Sequence, residues 1–219
     1  MSEIAAVAFD KDGVIFNSEA LYAQALREAV KKCSLHFDEA VFRAMTGLNA
    51  EKSRLLILEA VGSQMNGDEF IFEHWLPLFF RKVEEGGLEF CTGVESLIET
   101  LSENFPLALV TSDDYEHLLY SFNATRPDLL RYFSVLVTVE DVENPKPNPE
   151  PYERAAVLLG VANEKMLVIE DSEYGVRSAI EAGCPTLIYS ATEHCNVSQG
   201  LQNKACGIIC SHREVAKYI

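Results

Sequence analysis

The sequence predicts an α/β protein in which a parallel sheet lies between two layers of helices, with a helical domain inserted after the first strand. Two observations support this fold class. Short apolar runs alternate with helical patterns from residue 93 onward, whereas residues 17–86 are helical in pattern and follow a first strand at 4–9. Strands that alternate with helices pair in parallel through right-handed crossovers. We therefore expect a core domain of residues 1–16 and 87–219 and a helical cap domain of residues 17–86.

Each element of the core follows from its local pattern. Thr92 and Glu95 have the spacing of a capping box that begins the first core helix, and Gly160 and Gly183 are typical helix ends. The predicted strands are residues 4–9, 107–110, 135–139, 166–169 and 186–189, and the predicted core helices are residues 93–103, 115–122, 151–159 and 175–182.

Composition and charge narrow the classes of function. Hydrophobic residues make up 48% of the 219 residues and charged residues 24%, which is typical of a globular protein. The net charge of −16 makes a nucleic-acid backbone an unfavourable partner. Six cysteines lack zinc-site spacing, the first residues lack a signal-peptide pattern, and the run at 4–9 is too short to span a bilayer. We expect a cytoplasmic monomer with no nucleic-acid or membrane partner.

The most informative feature is the end of the first strand, Asp10-Lys11-Asp12-Gly13. Simple alternation along a strand would aim Asp10 and Asp12 the same way, and the glycine allows a sharp turn after them. Two adjacent carboxylates are costly unless a metal ion, a cation or a shared proton compensates them. The crevice beyond the carboxyl ends of parallel strands is also where ligands bind.

Polar side chains follow four of the predicted strands, and the carboxyl ends of parallel strands meet at one edge of the sheet. Carboxylates from two strands could hold one Mg²⁺, while a lysine and a hydroxyl could bind a phosphate. One carboxylate then remains as a nucleophile and its neighbour as an acid/base. Each feature alone is common in solvated turns, so the interpretation depends on their convergence. The residues concerned are Asp10, Asp12, Thr111, Ser112, Lys146, Glu170 and Asp171.

These motifs resemble the haloacid dehalogenase superfamily, specifically its phosphatases and phosphosugar mutases with a helical cap. The resemblance covers nearly the whole chain and implies a Rossmann-like core. The matching segments are Phe9-Asp10-Lys11-Asp12-Gly13-Val14-Ile15-Phe16-Asn17-Ser18-Glu19, Leu109-Val110-Thr111-Ser112, Lys146-Pro147-Asn148-Pro149-Glu150-Pro151-Tyr152 and Val168-Ile169-Glu170-Asp171-Ser172-Glu173-Tyr174-Gly175-Val176.

The resemblance implies a role for each matching residue. Asp10 would attack phosphorus and form an aspartyl-phosphate, and Asp12 would protonate the leaving alcohol and then deprotonate water. Thr111, with Ser112 beside it, and Lys146 would bind the transferring phosphoryl group. The implied Mg²⁺ ligands are Asp10, the backbone carbonyl of Asp12, Asp171 and, less directly, Glu170.

Departures from β-phosphoglucomutase, a relative within the superfamily, bear on the substrate. In the cap, that relative has a histidine where Tyr22 aligns and a lysine in place of Thr46, which precedes Gly47 in the cap loop. In the core, it has a serine-lysine pair that holds a second phosphate where this chain has Asp113 and Asp114. Two carboxylates repel a phosphate, so these positions favour a monophosphate whose hydroxyl groups Asp113 or Asp114 could bind, unless both face solvent. Lys11 replaces a residue that is usually hydrophobic, and we expect it to pair with an acidic residue.

The leading hypothesis is a Mg²⁺-dependent phosphatase that acts on a small phosphorylated metabolite, in particular a sugar phosphate. A phosphosugar mutase is the enzymatic alternative. A phospho-acceptor module of the receiver type also combines acidic residues, a hydroxyl and a lysine on a parallel sheet, and a catalytically silent binding protein is a further possibility.

Overall fold

The computed structural model describes residues 3–45, 50–191, 195 and 197–219, and the chain divides into two compact units. The core unit comprises Met1–Phe16 and Phe90–Ile219, and the cap unit comprises Asn17–Glu89. The sequence places the second junction slightly earlier, between residues 86 and 87.

The cap unit contains helices and no strand among its described residues. Leu21, Ala25 and Ala29 are buried along one stripe of its first helix, as their spacing predicts. Of the aromatic residues near its end, Phe70, Trp75 and Phe79 are buried while Phe72 is exposed. The helices are α1 (Ser18–Lys32), α2 (Glu39–Ala44), α3 (Ala50–Val61), α4 (Gly67–Glu69), a π-helical stretch (Phe70–Trp75) and α5 (Leu76–Glu84).

In the described part of the core unit, six parallel strands form one sheet in the order β3-β2-β1-β4-β5-β6. The first strand is central, and its neighbours β2 and β4 come from distant parts of the sequence. The strands are β1 (Ala6–Phe9), β2 (Leu107–Val110), β3 (Phe133–Val137), β4 (Met166–Glu170), β5 (Thr186–Tyr189) and β6 (Gly207–Ile209).

The central strands are buried along their whole length, as expected for a parallel sheet covered on both faces. Alternate residues such as Ala6 and Ala8 pack with Tyr152 and Ala179, which come from two of the helices. The α/β fold predicted from the sequence is therefore confirmed. The helices of the core unit are α6 (Val94–Ser102), α7 (Tyr115–Ala124), α8 (Glu150–Leu159), α9 (Glu173–Glu181) and α10 (Gln199–Gln202).

Two local predictions about the core were incomplete or wrong. The N-cap residue of α6 is Gly93, with φ of 84°, so the predicted capping box at Thr92 is wrong. The short strand β6 was not predicted, because three residues carry too little periodicity to be recognised. The helix end at Gly160 is confirmed, since this residue adopts a left-handed conformation with φ of 70°.

The chain leaves and re-enters the core unit at one point. Phe16 and Phe90 form an antiparallel bridge, and their rings stack with centroids 4.9 Å apart. Next to them, the backbone N–H of Cys91 donates to the carbonyl of Ile15 at 2.8 Å.

Among the described helices, none has the length and apolar character required to cross a bilayer.

Candidate active site

The sheet brings the carboxyl ends of β1, β2 and β4 side by side, because β1 lies between the other two. Asp10 directly follows β1, Thr111 follows β2, and Glu170 is the last residue of β4. Lys146 reaches the same edge from the loop between β3 and α8. The predicted convergence of these side chains is therefore present in the core unit.

Lys146 is the centre of this cluster. Its ammonium group is buried and donates hydrogen bonds to Asp10 Oδ1 at 2.6 Å, Glu170 Oε1 at 2.7 Å and the carbonyl of Val110 at 3.0 Å. It also lies 5.0 Å from the centre of the Tyr152 ring. A buried ammonium is stable only with such partners, so Lys146 is held between the ends of three strands.

Glu170 is fully buried and both of its carboxylate oxygens accept hydrogen bonds. Oε1 accepts from Lys146 and, at 2.8 Å, from the hydroxyl of Tyr152. Oε2 accepts from the backbone N–H groups of Asp171 and Ser172 at 3.1 and 3.3 Å and from the Ser172 hydroxyl at 3.1 Å. These bonds fix the loop that carries Asp171 relative to Lys146.

Two glycines pack directly against site carboxylates. A Cβ atom on Gly13, which has φ of +79°, would lie 1.8 Å from Asp171 Oδ2. A Cβ atom on Gly175, in the first turn of α9, would lie 1.7 Å from Glu170 Oε1. Both distances are far inside van der Waals contact, so a side chain at either position would displace the carboxylate.

The donor set fits a hard divalent cation. Oxygens of Asp10, Glu170 and Asp171 all lie within 4.8 Å of one another, and two of these carboxylates, Asp10 and Glu170, share the ammonium group of Lys146. The cluster consists of oxygen donors only and has an excess of negative charge, which is the environment that Mg²⁺ prefers.

The electrostatics of Asp10 reflect this excess of negative charge. Burial, together with Glu170 and Asp12, raises the pKa of Asp10 to about 8, against the opposing effect of Lys146. Burial alone would lower the pKa of Lys146, but Asp10 and Glu170 outweigh it and raise that pKa. The lysine therefore stays charged, whereas the ionised form of Asp10 needs further positive charge nearby.

Thr111 and Ser112 stand at the end of β2. Thr111 is buried, and its hydroxyl oxygen accepts a hydrogen bond from the backbone N–H of Asp113 at 3.1 Å. A hydroxyl that accepts such a bond keeps its own proton for donation to another group. Ser112 is exposed at the same strand end.

Asp113 and Asp114 have partners within the core unit. Asp114 caps α7, since it accepts from the backbone N–H of His117 and contacts the His117 ring, both at 2.8 Å. Asp113 forms an ion pair with Lys11 at 2.9 Å. The alternative that both carboxylates simply face solvent is therefore wrong, and the expected acidic partner of Lys11 is identified.

The remaining substrate candidates belong to the cap unit. Tyr22 is half-buried and stacks on Phe79, with ring centroids 3.7 Å apart, and its carbonyl accepts from the Trp75 indole at 3.2 Å. Thr46 and Gly47 lie outside the described residues.

Sequence reasoning missed three contributors to the site, namely Tyr152, Ser172 and Gly175. Tyr152 and Ser172 were part of the matching motifs but were given no role, because a motif does not show which neighbour a side chain contacts. Gly175 was also part of a matching motif and was predicted as the start of a helix, but it was given no role in the site. Its contact with Glu170 could have been suspected from the sequence, because it is a glycine five residues after Glu170, in the first turn of the helix that follows this strand end.

The family profile described as haloacid dehalogenase-like hydrolase matches residues 7–189. A phosphorylated carbohydrates phosphatase of Thermotoga maritima is 31% identical over 200 residues, covering 90% of this chain and 89% of that protein. A phosphoglycolate phosphatase of Escherichia coli (strain K12) is 28% identical, covering 84% and 81% respectively. A solved structure of a candidate beta-phosphoglucomutase from Thermotoga maritima has a TM-score of 0.80 at 28% identity, covering 99% of this chain and 100% of that one.

The raised pKa of Asp10 predicts a pH-dependent stability for protein stripped of divalent ions. Between pH 4 and about 8 the folded protein keeps a proton on Asp10 that the unfolded chain gives up, so the free energy of unfolding falls as pH rises. Relative to Asp10→Asn, wild type should lose stability progressively as pH rises through this window. Denaturant unfolding with a chelator at pH 5 and pH 8 measures this loss, and parallel pH profiles for the two proteins would contradict it.

The contact between Gly175 and Glu170 predicts that Gly175→Ala destabilises the protein by at least about 1 kcal/mol, because it disturbs a buried hydrogen-bonded carboxylate. Gly200→Ala is the matched control. Gly200 also lies near the start of a helix, and a Cβ there meets open space, so this change should be neutral or slightly stabilising. Equal unfolding free energies for the two variants would show that Glu170 is not held as described.

Proposed function

Because the chain belongs to the haloacid dehalogenase-like hydrolase family, as a phosphoric monoester hydrolase, we propose that it hydrolyses a small phosphomonoester through an aspartyl-phosphate on Asp10. The observation that carries the mechanism is the ammonium group of Lys146, 2.6 Å from Asp10, with the carboxylates of Glu170 and Asp171 beside it. Positive charge next to a carboxylate that must attack a phosphate is the basic requirement of this chemistry.

In the first step, a carboxylate oxygen of Asp10 attacks phosphorus and the bond from phosphorus to the leaving oxygen breaks. Asp12 donates its proton to that oxygen, which departs as an alcohol. In the second step, water attacks the aspartyl-phosphate and gives a proton to Asp12. The bond between phosphorus and Asp10 breaks, which releases inorganic phosphate and restores both aspartates.

The other polar groups bind and orient. Lys146 and the Thr111 hydroxyl, with Ser112 next to it, hold the transferring phosphoryl group. Glu170 keeps Lys146 in place, because its two oxygens are already occupied by Lys146, Tyr152 and the β4–α9 loop. This occupancy makes Glu170 a poorer direct metal ligand than Asp10 or Asp171.

The proposed cofactor is Mg²⁺, held by Asp10, Asp171 and the backbone carbonyl of Asp12, with Glu170 nearby. When bound, it would supply positive charge that reduces the repulsion between a carboxylate and a phosphate. The cluster of oxygens within 4.8 Å and the raised pKa of Asp10 support this proposal.

For the substrate, we propose a sugar phosphate. The first relative acts, by its name, on phosphorylated carbohydrates and the second on phosphoglycolate, which are both small phosphomonoesters. Binding of a substrate hydroxyl by Asp113 or Asp114 is less favoured than the sequence suggested, because both carboxylates are engaged by Lys11 and His117. We retain the proposal of a cytoplasmic monomer. All six cysteines lie within the described residues and are free thiols, which is compatible with a cytoplasmic location.

The alternatives fit less well. A phosphosugar mutase must hold a second phosphate, and here Asp113 and Asp114 place negative charge where the resemblance implies a phosphate clamp. A receiver-type module would have the strand order 2-1-3-4-5, whereas the sheet here runs β3-β2-β1-β4-β5-β6. A phosphatase is therefore the function that the core unit supports best.

The proposal is tested by measuring phosphate release from a panel of sugar phosphates, phosphoglycolate and other phosphomonoesters, with Mg²⁺ and with a chelator. We expect turnover with Mg²⁺ and at least one sugar phosphate. Asp10→Asn should abolish turnover while leaving the fold intact, since the side chains are isosteric. Turnover by Asp10→Asn near the wild-type rate would exclude Asp10 as the nucleophile.

Asp12→Asn should slow turnover of the same substrate by roughly 10²–10⁴-fold, the usual loss when a general acid–base group is removed. The measurement is steady-state phosphate release, with circular dichroism as the control for folding. A rate within a few-fold of wild type would assign the proton transfers to another group.

A further inference from the structure

Lys11 stands between the two aspartates, and its side chain is buried although it follows a strand end. Its ammonium group lies 3.0 Å from both carboxylate oxygens of Asp12 and 2.9 Å from Asp113. It also donates to the hydroxyl of Ser121 at 3.4 Å, a long hydrogen bond. The lysine therefore links the loop after β1 to the segment that follows β2.

Hydrogen bonds of the backbone fix the position of the Lys11 Cα atom, from which the side chain extends. The carbonyl of Lys11 accepts hydrogen bonds from the N–H groups of Ile15 and Phe16 at 2.9 and 3.0 Å, which close a tight turn. The ammonium group lies 5.8 Å from the centre of the Phe16 ring. With both ends of the side chain anchored, Lys11 has little freedom to move.

The partners of Lys11 are more exposed than Lys11 itself. The side chain of Asp12 is 33% exposed and that of Asp113 is 30% exposed, against 4% for Lys11. A partly exposed aspartate has several accessible rotamers, and a buried cation that contacts both of its oxygens restricts them. Buried ion pairs are also rarely better for stability than an apolar side chain of similar size. Stability therefore does not explain a lysine at this position.

We propose that Lys11 is a positioning residue, which holds the carboxylate of Asp12 in the orientation needed for proton transfer and is itself anchored by Asp113. This inference rests on the proposed function, because it assigns a partner to the proposed acid/base. Small errors in the placement of a catalytic group are costly in rate, which gives such an anchor a physical role. Asp113 contributes to the same positioning, because it is the counter-ion that orients Lys11.

Substrates with different leaving groups distinguish a positioning role of Lys11 from a merely structural one. An alcohol with a high pKa must be protonated as it leaves, whereas p-nitrophenolate leaves without a proton. Both substrates undergo the same attack by Asp10, and kcat/KM reports the steps up to loss of the leaving group. A misplaced Asp12 should therefore reduce kcat/KM for a sugar phosphate much more than for p-nitrophenyl phosphate.

The experiment compares wild type with Lys11→Met, using p-nitrophenyl phosphate and the sugar phosphate that wild type hydrolyses fastest. We expect kcat/KM to fall about 10-fold or more for the sugar phosphate, which is part of the full loss from removing a general acid. For p-nitrophenyl phosphate the fall should stay within about 3-fold. Asp113→Asn should change the ratio in the same direction by a smaller factor, and it provides the test if Lys11→Met does not fold.

Lys217→Met is the control. Lys217 is exposed in an ion pair with Glu214 near the end of the core unit, so its replacement should leave both substrates unaffected. Equal losses for the two substrates, no loss, or a faster reaction of the sugar phosphate in Lys11→Met would each overturn the role of Lys11 while leaving the proposed phosphatase intact. Failure of wild type to release phosphate from any phosphomonoester would instead overturn the proposed function, and this assignment with it.

Discussion

The structure of the site depends on one buried cation. The ammonium group of Lys146 contacts Asp10 after β1, the carbonyl of Val110 at the end of β2, and Glu170 at the end of β4. Three strand ends are thereby joined through a single atom. The crowding of Asp10 and Glu170 follows from this requirement, since both carboxylates must be close enough to pair with the lysine and are then close enough to repel one another.

That repulsion explains the surrounding architecture. Glu170 is stabilised by the Tyr152 hydroxyl, two backbone N–H groups and the Ser172 hydroxyl, so its charge is distributed over several donors. Asp12 has a second ammonium group beside it in Lys11. Within the described part of the chain the Asp10 carboxylate has Lys146 as its hydrogen-bond partner, and burial together with the neighbouring carboxylates raises its pKa.

The sequence predicted the arrangement of the strands better than the contacts among side chains. β2 and β5 lie where their continuous apolar runs predict them, because strands buried on both faces need apolar residues throughout. β3 was predicted two residues late, because Val139 extends the pattern of apolar residues along the sequence. In the structure Thr138 is already the N-cap of a short helical turn, and its backbone N–H and hydroxyl donate to Asp141 Oδ2. The meeting of Asp10, Lys146 and Glu170 followed from the parallel sheet. The pairings of Lys11, Asp113 and Asp114 did not, because they depend on how individual loops turn and on where a helix begins.

The junction at Phe16 and Phe90 has a consequence for evolution of the chain. Because these two residues pair and stack within the core unit, the ends of the inserted segment are fixed next to each other. Doubling the length of a loop with fixed ends adds only about 0.6 kcal/mol of entropic cost. The core unit therefore tolerates inserts of very different length and sequence at this point, while its own strand order and the cluster around Lys146 stay unaltered.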